Sequence, residues 1–307
     1  MNLFYYGNMN AEQETAGQTA PLISIIVPVT RMAGRLGDLA RWLGGTDFGK
    51  VEVIIVHDKQ DDATSQDLNS LSTEFPHVVR IEQTFNSAGL ARNAGLEVAR
   101  GRWIAFWDSD DIPNIKTLNT FIQSEKSEKT ELFIYNYEVQ DKAGNKRGLR
   151  SENWQQLAIN PGLWRLIFSS AVIKDLRFPN FPLAEDQYLL AQYCPPSRIL
   201  EYVDQTLYTY KIGHLGQITS DNSKIKQLLI SLDALTRLRK NQSRNDYIFT
   251  SILFWRQILT ILKRGQLTTK IIAVFVGLRS LTTPRFRTYW NLKALTKVIS
   301  YLVTTHE

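Results

Sequence analysis

The sequence predicts an α/β fold: a doubly wound, largely parallel sheet followed by a mostly helical C-terminal appendage. Three observations carry this. Four continuous apolar runs rich in β-branched residues recur early in the chain: Leu22 to Val29 (LISIIVPV), Val51 to Val56 (VEVIIV), Val78 to Gln83 (VVRIEQ) and Arg102 to Trp107 (RWIAFW). Segments of helical periodicity separate them. From Lys224 onward the pattern is helical. Continuous apolar runs suit strands covered on both faces, as parallel strands are. Their alternation with helices builds a doubly wound sheet.

The intervening helices have their own signals. RLGDLARWLGG runs into Gly44-Gly45, a C-terminal stop. DDATSQDLNSLSTEF sets Leu68, Leu71 and Phe75 on one face, with Asp61 and Asp62 as a cap or turn. AGLARNAGLEVARG sets Leu90, Ala94 and Val98 on one face and stops at Gly101. Past Asp111, Asn114 to Ser127 reads as a helix, ELFIYNYEVQ as a strand and DKAGNKRG as a turn about Gly144. LWRLIFSSAVI and AEDQYLLAQY read as short helices, and RILEYVDQTLYTYKI as two strands parted near Asp204. The tail helices break near Gly265 and Pro284. The expected plan is a disordered leader at 1–20, an α/β catalytic domain at 21–222 and a basic helical region at 223–307.

A chain of 307 residues can bury a full core without staples. Its single cysteine, Cys194, excludes an intrachain disulfide and fits a reducing compartment. The leader lacks the basic and apolar regions of a cleaved secretory signal. The apolar run from Ile271 to Leu278 falls well short of the ~18 residues of a spanning helix. Charge is uneven: Lys224 to Glu307 holds 15 Lys and Arg against 3 Asp and Glu, and the rest holds 21 against 27. That asymmetry suggests an anionic partner for the tail. No nucleic-acid recognition motif accompanies it, so nucleic acid is not expected.

The chemistry concentrates in GRWIAFWDSDD. A buried strand runs straight into Asp108, Ser109, Asp110 and Asp111. Ligands of open α/β sheets bind beyond the carboxyl ends of the strands. Close carboxylates raise one another's pKa unless a cation neutralises them. An all-oxygen set favours Mg²⁺ or Mn²⁺, which typically combines one or two carboxylates with substrate phosphates. The competing structural reading is that Asp110 or Asp111 caps the helix near Pro113. It explains one aspartate and leaves the others. Asp58 ends the second strand, where it suits hydrogen bonds from a nucleotide base or sugar; as plain structure it would be a cap or turn. NSAGLARNAGL opens a helix whose N-terminus attracts phosphate, with Arg92 to add charge. Otherwise Arg92 is a solvated arginine on an amphipathic helix.

In order, SIIVPV, VIIVHD, NSAGLARNAGLEVARGRWIAFWDSDD and AEDQYLL resemble a family 2 glycosyltransferase with the GT-A fold, over about Leu22 to Thr219. The resemblance implies a nucleotide-sugar donor held by Pro28, Asp58, Arg92, Asp108 and Asp110, with Asp58 on the base and Asp108 on the ribose or phosphate side. It implies Mn²⁺ or Mg²⁺ on Asp110 beside the diphosphate, and His214 as a further metal or diphosphate contact. Asp186 of the Glu-Asp pair would be the general base, with Glu185 beside it, and transfer would invert the anomeric carbon. As plain structure, those two acids would simply suit a helix N-terminus.

The resemblance is imperfect. His57-Asp58-Lys59-Gln60 stands where the family often has Asp-Asp-Gly-Ser, which weakens the analogy for base and ribose contacts. Neither Gln-x-x-Arg-Trp nor a spanning segment is present, which argues for single addition over processive synthesis in the membrane. The acceptor implied is a glycan or a lipid-linked hydroxyl in cell-surface polysaccharide synthesis. The basic tail then suits peripheral contact with an anionic membrane from the cytoplasmic side, or forms a bundle with a solvated basic exterior. The rival function is a non-catalytic nucleotide-sugar or carbohydrate-binding module on the same fold.

Overall fold

The computed structural model describes residues 20–60, 62–213, 222–281 and 285–304. The expected leader, Asp61 and His214 lie outside them. The chain forms two compact units. One is Met1–Arg150, Leu163–Arg177 and Leu200–His214; the other is Ser151–Gly162, Phe178–Ile199 and Leu215–Glu307.

The first unit is built on a nine-stranded sheet. Its strands are β1 (Ile23–Val29), β2 (Val51–Asp58), β3 (Val79–Gln83), β4 (Trp103–Phe106), β5 (Ile112–Pro113), β6 (Leu132–Gln140), β7 (Lys146–Leu149), β8 (Leu166–Ser169) and β9 (Leu200–Lys211). The order is β3-β2-β1-β4-β8-β6-β9-β5, with β7 paired to β6. β1 to β4 are mutually parallel; the runs of β1, β2 and β4 are buried on both faces as the sequence predicts, whereas β3, at the sheet edge, is only partly buried. Because β1 lies between β2 and β4, the winding reverses there, and the carboxyl ends of those three strands are where ligands of open α/β sheets bind.

Helices α1 (Gly37–Leu43), α2 (Asp62–Glu74), α3 (Ala88–Val98), α4 (Ile115–Gln123) and α6 (Ser170–Ile173) belong to this unit. The buried face of α3 differs from the expected one. It presents Ala91, Arg92, Ala94 and Gly95, while Leu90 and Val98 are only half-buried. Small residues allow close approach to the sheet: a Cβ on Gly95 would sit 2.5 Å from Ile26 Cγ2 and 3.1 Å from Val56 Cγ2.

Two other segments differ from the sequence reading. Leu166–Ser169, within the expected helix LWRLIFSSAVI, is a strand held between β4 and β6. A short buried apolar run has no period that separates helix from strand, and pairing on both sides decides it. β9 is one strand across Asp204, its ladder with β6 shifting register around Asn136. Asn136 Nδ2 donates to Asp204 Oδ1 at 2.7 Å, so the acid marks an irregularity within the strand.

The second unit is helical: α5 (Trp154–Ile159), α7 (Glu185–Tyr193), α8 (Leu228–Leu238), α9 (Arg244–Arg264), α10 (Leu267–Leu281) and α11 (Arg285–Thr304). α9 is its centre, buried almost continuously from Asp246 to Trp255. Its start is fixed by Ser243, whose hydroxyl accepts from Asp246 N. The expected break at Gly265 is present, and a further one at Arg239–Asn241 separates α8 from α9. Arg239 is buried there. It donates to Asn291 Oδ1 at 3.1 Å and Ser280 Oγ at 3.0 Å and lies 4.3 Å from the Phe254 ring centroid. One cation thus ties the end of α8 to α9, α10 and α11. No helix among the described residues is long and apolar enough to cross a membrane.

Candidate active site

At the carboxyl edge of the sheet, β1 ends in Pro28 and Val29, β2 ends in Asp58, and Asp108 follows β4 by two residues. The sheet therefore brings Pro28, Asp58, Asp108 and Asp110 to one edge, and α3 adds Arg92.

Asp58 is buried. Its Oδ1 accepts from Phe85 N at 2.7 Å, Asn86 N at 3.2 Å and Gln60 Nε2 at 3.1 Å. This oxygen fixes the turn from β3 into α3, where Asn86 takes a left-handed φ of 55°. The turn reading of this residue is therefore realised. Ser87 caps α3 by accepting from Leu90 N.

Arg92 is not the solvated arginine of an amphipathic helix. It is buried, and its Nη2 donates to Asp108 Oδ1 at 2.8 Å. The main chain of Asp108 is held as well: its N–H donates to Tyr208 Oη at 2.9 Å. Tyr208 is itself fully buried, beside Trp107 (6.2 Å, tilted) and stacked on Trp164 (5.0 Å, 12°). Trp103 and Trp107 are core residues, and Trp164 is half-buried against the core and also stacked on Tyr210.

The acids beyond Asp108 separate by environment. Asp111 is 1% exposed and its Oδ1 accepts from Lys211 N at 2.8 Å. Burial, then the charges of Asp108 and Asp110, push its carboxyl well up. Asp110 is pushed up by burial and by Asp108, against the opposing pull of Lys211 and Arg35. Helix capping does not account for either. The N-cap of α4 is Asn114, whose side chain accepts from Thr117 N at 3.2 Å.

Among the described residues no three His, Cys, Asp or Glu side chains gather into a metal cage. A cation held at Asp110 would relieve the burial and repulsion that raise its carboxyl.

Sequence reasoning missed Tyr208, Lys211 and Asp38. Lys211 Nζ donates to Asp38 Oδ2 at 2.8 Å, and its charge reaches Asp110. These residues lie far from the acids in sequence and carry no motif: the pairing of β9 with β5 and β6 brings in Tyr208 and Lys211, and Lys211 in turn reaches Asp38 on α1.

Glu185 and Asp186 belong to the helical unit. They form the first turn of α7 and are half-buried. Ala184 precedes them at φ 63°, a left-handed conformation uncommon for a residue with a Cβ. Asp186 Oδ1 accepts from Gln187 N at 2.8 Å. The buried Gln187 anchors the helix: its Oε1 accepts from Gln257 Nε2 at 3.0 Å, which also donates to Ser231 Oγ at 3.1 Å.

Comparison with known proteins agrees with this architecture. The chain is 22% identical to the glycosyltransferase GlyA of Streptococcus pneumoniae over 222 residues, 65% of this chain and 32% of GlyA. It is 33% identical to the succinoglycan biosynthesis protein ExoO of Rhizobium meliloti over 113 residues, 37% of this chain and 32% of ExoO. It thus spans about a third of the length of each. Among solved structures, Staphylococcus aureus TarS 1-349 in complex with UDP-GlcNAc superposes with a TM-score of 0.63 at 17% identity, over 92% of both chains. The mannosyltransferase PcManGT of Pyrobaculum calidifontis, in complex with GDP-Man and Mn²⁺, superposes at 0.56 and 12% identity, over 93% of this chain and 87% of that one. These likenesses show the GT-A type of fold. Residues 24–182, more than half of the chain, match glycosyl transferase family 2, and with that match the chain belongs to that family.

Proposed function

We propose that this protein transfers a sugar from a nucleotide-diphospho-sugar to a hydroxyl of a glycan or lipid-linked acceptor, with inversion, in cell-surface polysaccharide synthesis. The carrying observation is the acidic edge at the sheet's switch point, where Asp110 is raised by burial and by Asp108 and is not used as a cap. Family membership and the nucleotide-sugars bound by TarS and PcManGT support the donor class.

Asp110 would hold Mn²⁺ or Mg²⁺ together with the donor diphosphate, and the bound cation would neutralise charge on the leaving group. Arg92 keeps Asp108 oriented for the ribose or phosphate side. Asp58 holds the turn that leads into α3 and, with Pro28, forms the nucleotide side of the site. Asp186 takes the proton of the acceptor hydroxyl, and Glu185 beside it orients that hydroxyl. The protein would work on the cytoplasmic side, with its basic helical unit against an anionic membrane.

The test is a thermal-shift screen of nucleotide-sugars with Mn²⁺ and Mg²⁺, followed by transfer assays. Asp110→Ala should abolish the metal-dependent shift. Asp186→Ala should keep the shift and stop transfer. Wild-type transfer rates in both variants would overturn the site, and a donor shift without turnover on any acceptor would point to a binding module.

A further inference from the structure

α10 is built inside out. Its buried positions are the small residues Thr269, Ala273, Gly277 and Ser280. Its large apolar side chains point to solvent: Leu267 is 74% exposed, Phe275 67% and Leu278 56%, with Ile271, Ile272 and Val274 exposed beside them. Leu267, Ile271, Val274, Phe275 and Leu278 recur at intervals of four, three, one and three, so they share one face of the helix. The small face is required by packing, since a Cβ on Gly277 would sit 3.1 Å from the Trp255 ring of α9. Packing against α9 therefore does not call for the outer face to be apolar. Single exposed leucines are ordinary, but a contiguous apolar face of this size marks an interaction surface.

Charge identifies the occupant. Lys270 and Arg279 flank the apolar face on its two sides by helical position. From Tyr247 to His306 the sequence holds nine Lys and Arg and not one Asp or Glu. A second copy of this chain docked through α10 would set these cations against their like without a carboxylate to compensate. A helix of 15 residues, roughly 22 Å long, is too short to span a bilayer but suits lying in its interface. Large apolar side chains then enter the acyl boundary while basic edges meet anionic headgroups.

We propose that the outer face of α10 is a membrane-docking surface that lies flat in an anionic lipid leaflet, led by Leu267, Ile271, Phe275 and Leu278. This rests on the peripheral-membrane reading above and names the element that carries it. The measurement is flotation of the full chain with vesicles of phosphatidylcholine alone or mixed with phosphatidylglycerol. The wild type should float with the mixed vesicles and at least tenfold less with the neutral ones. Phe275→Glu/Leu278→Glu should reduce flotation at least tenfold at an unchanged thermal midpoint, and Phe275→Trp should retain it. Equal flotation of the wild type and the double variant would overturn the proposal. So would a wild type that stays in solution, or a wild-type dimer in light scattering that the double variant dissolves. The nucleotide-sugar thermal shift, read on the same samples, separates the two readings: loss of flotation with an intact shift leaves the catalytic proposal standing, and flotation without any shift leaves the docking face standing.

Discussion

Arg92, in the middle of α3, holds the carboxylate of Asp108 at 2.8 Å across sixteen residues of chain. The pair is partly buried, with the arginine side chain 10% exposed. Removing one partner therefore costs more than at a free surface and less than in a sealed core. Arg92→Met should lower stability by about 1–3 kcal/mol in urea unfolding. A double-mutant cycle with Asp108→Asn should show coupling of roughly 1 kcal/mol. Strict additivity would mean the contact does not stabilise the fold.

Gly95 governs how closely α3 approaches the sheet. Gly95→Val places side-chain atoms where Ile26 already sits. It should destabilise by about 1–3 kcal/mol, as overpacking does. Because Arg92 rides on the same helix, nucleotide-sugar affinity measured by calorimetry should fall as well. An unchanged affinity in the folded variant would detach α3 from donor binding.

Gln187 is a positioning residue for α7. Gln187→Leu loses the bond from Gln257 and should cost about 1–2 kcal/mol. If α7 carries the acceptor-side acids, kcat should fall while the donor-induced thermal shift stays. A matching loss of donor binding would place the helix on the donor side instead.

Acid should weaken the link from α1 to β9. Burial pushes Asp38 up, but Lys211 and Arg41 prevail and hold its carboxyl below the ordinary 3.8. The sign follows from that depression. The unfolded chain takes up the proton first, so the stabilisation is present above pH ~4 and lost as pH falls through the lowered value. Asp38→Asn should flatten the acid limb of a stability-against-pH curve. The effect should stay under about 1 kcal/mol, because water reaches the pair. An unaltered curve would show that Asp38 contributes nothing there.

The parallel half of the sheet was legible because burial on both faces leaves continuous apolar runs in β1, β2 and β4, and β3 appears where the fourth run lies although it is only partly buried. The placement of Asp58, Asp108 and Asp110 at the carboxyl edge of the sheet followed from strand ends alone. What stayed hidden was set by partners distant in sequence. β8 is a strand because β4 and β6 flank it, and the inner face of α3 is set by Ile26 and Val56 beneath Gly95. AEDQYLLAQY was legible as a helix, but not its grouping with the tail helices. That grouping reflects Gln187 bonding to Gln257 and so rests on side chains with no periodic signature.

The bonds from Tyr208 and Lys211 to the acidic segment also set an order of assembly. Each spans one hundred residues, to Asp108 and Asp111 respectively. During translation, β1 to β4 are complete well before β9 leaves the ribosome. A nascent chain at that stage holds its aspartates without the phenol and amide that later fix them. Closing so long a loop carries an entropic cost before its contacts reward it, so organisation of this edge belongs late in folding. The segment on which the proposed chemistry depends is then among the last parts of the sheet to acquire its final shape.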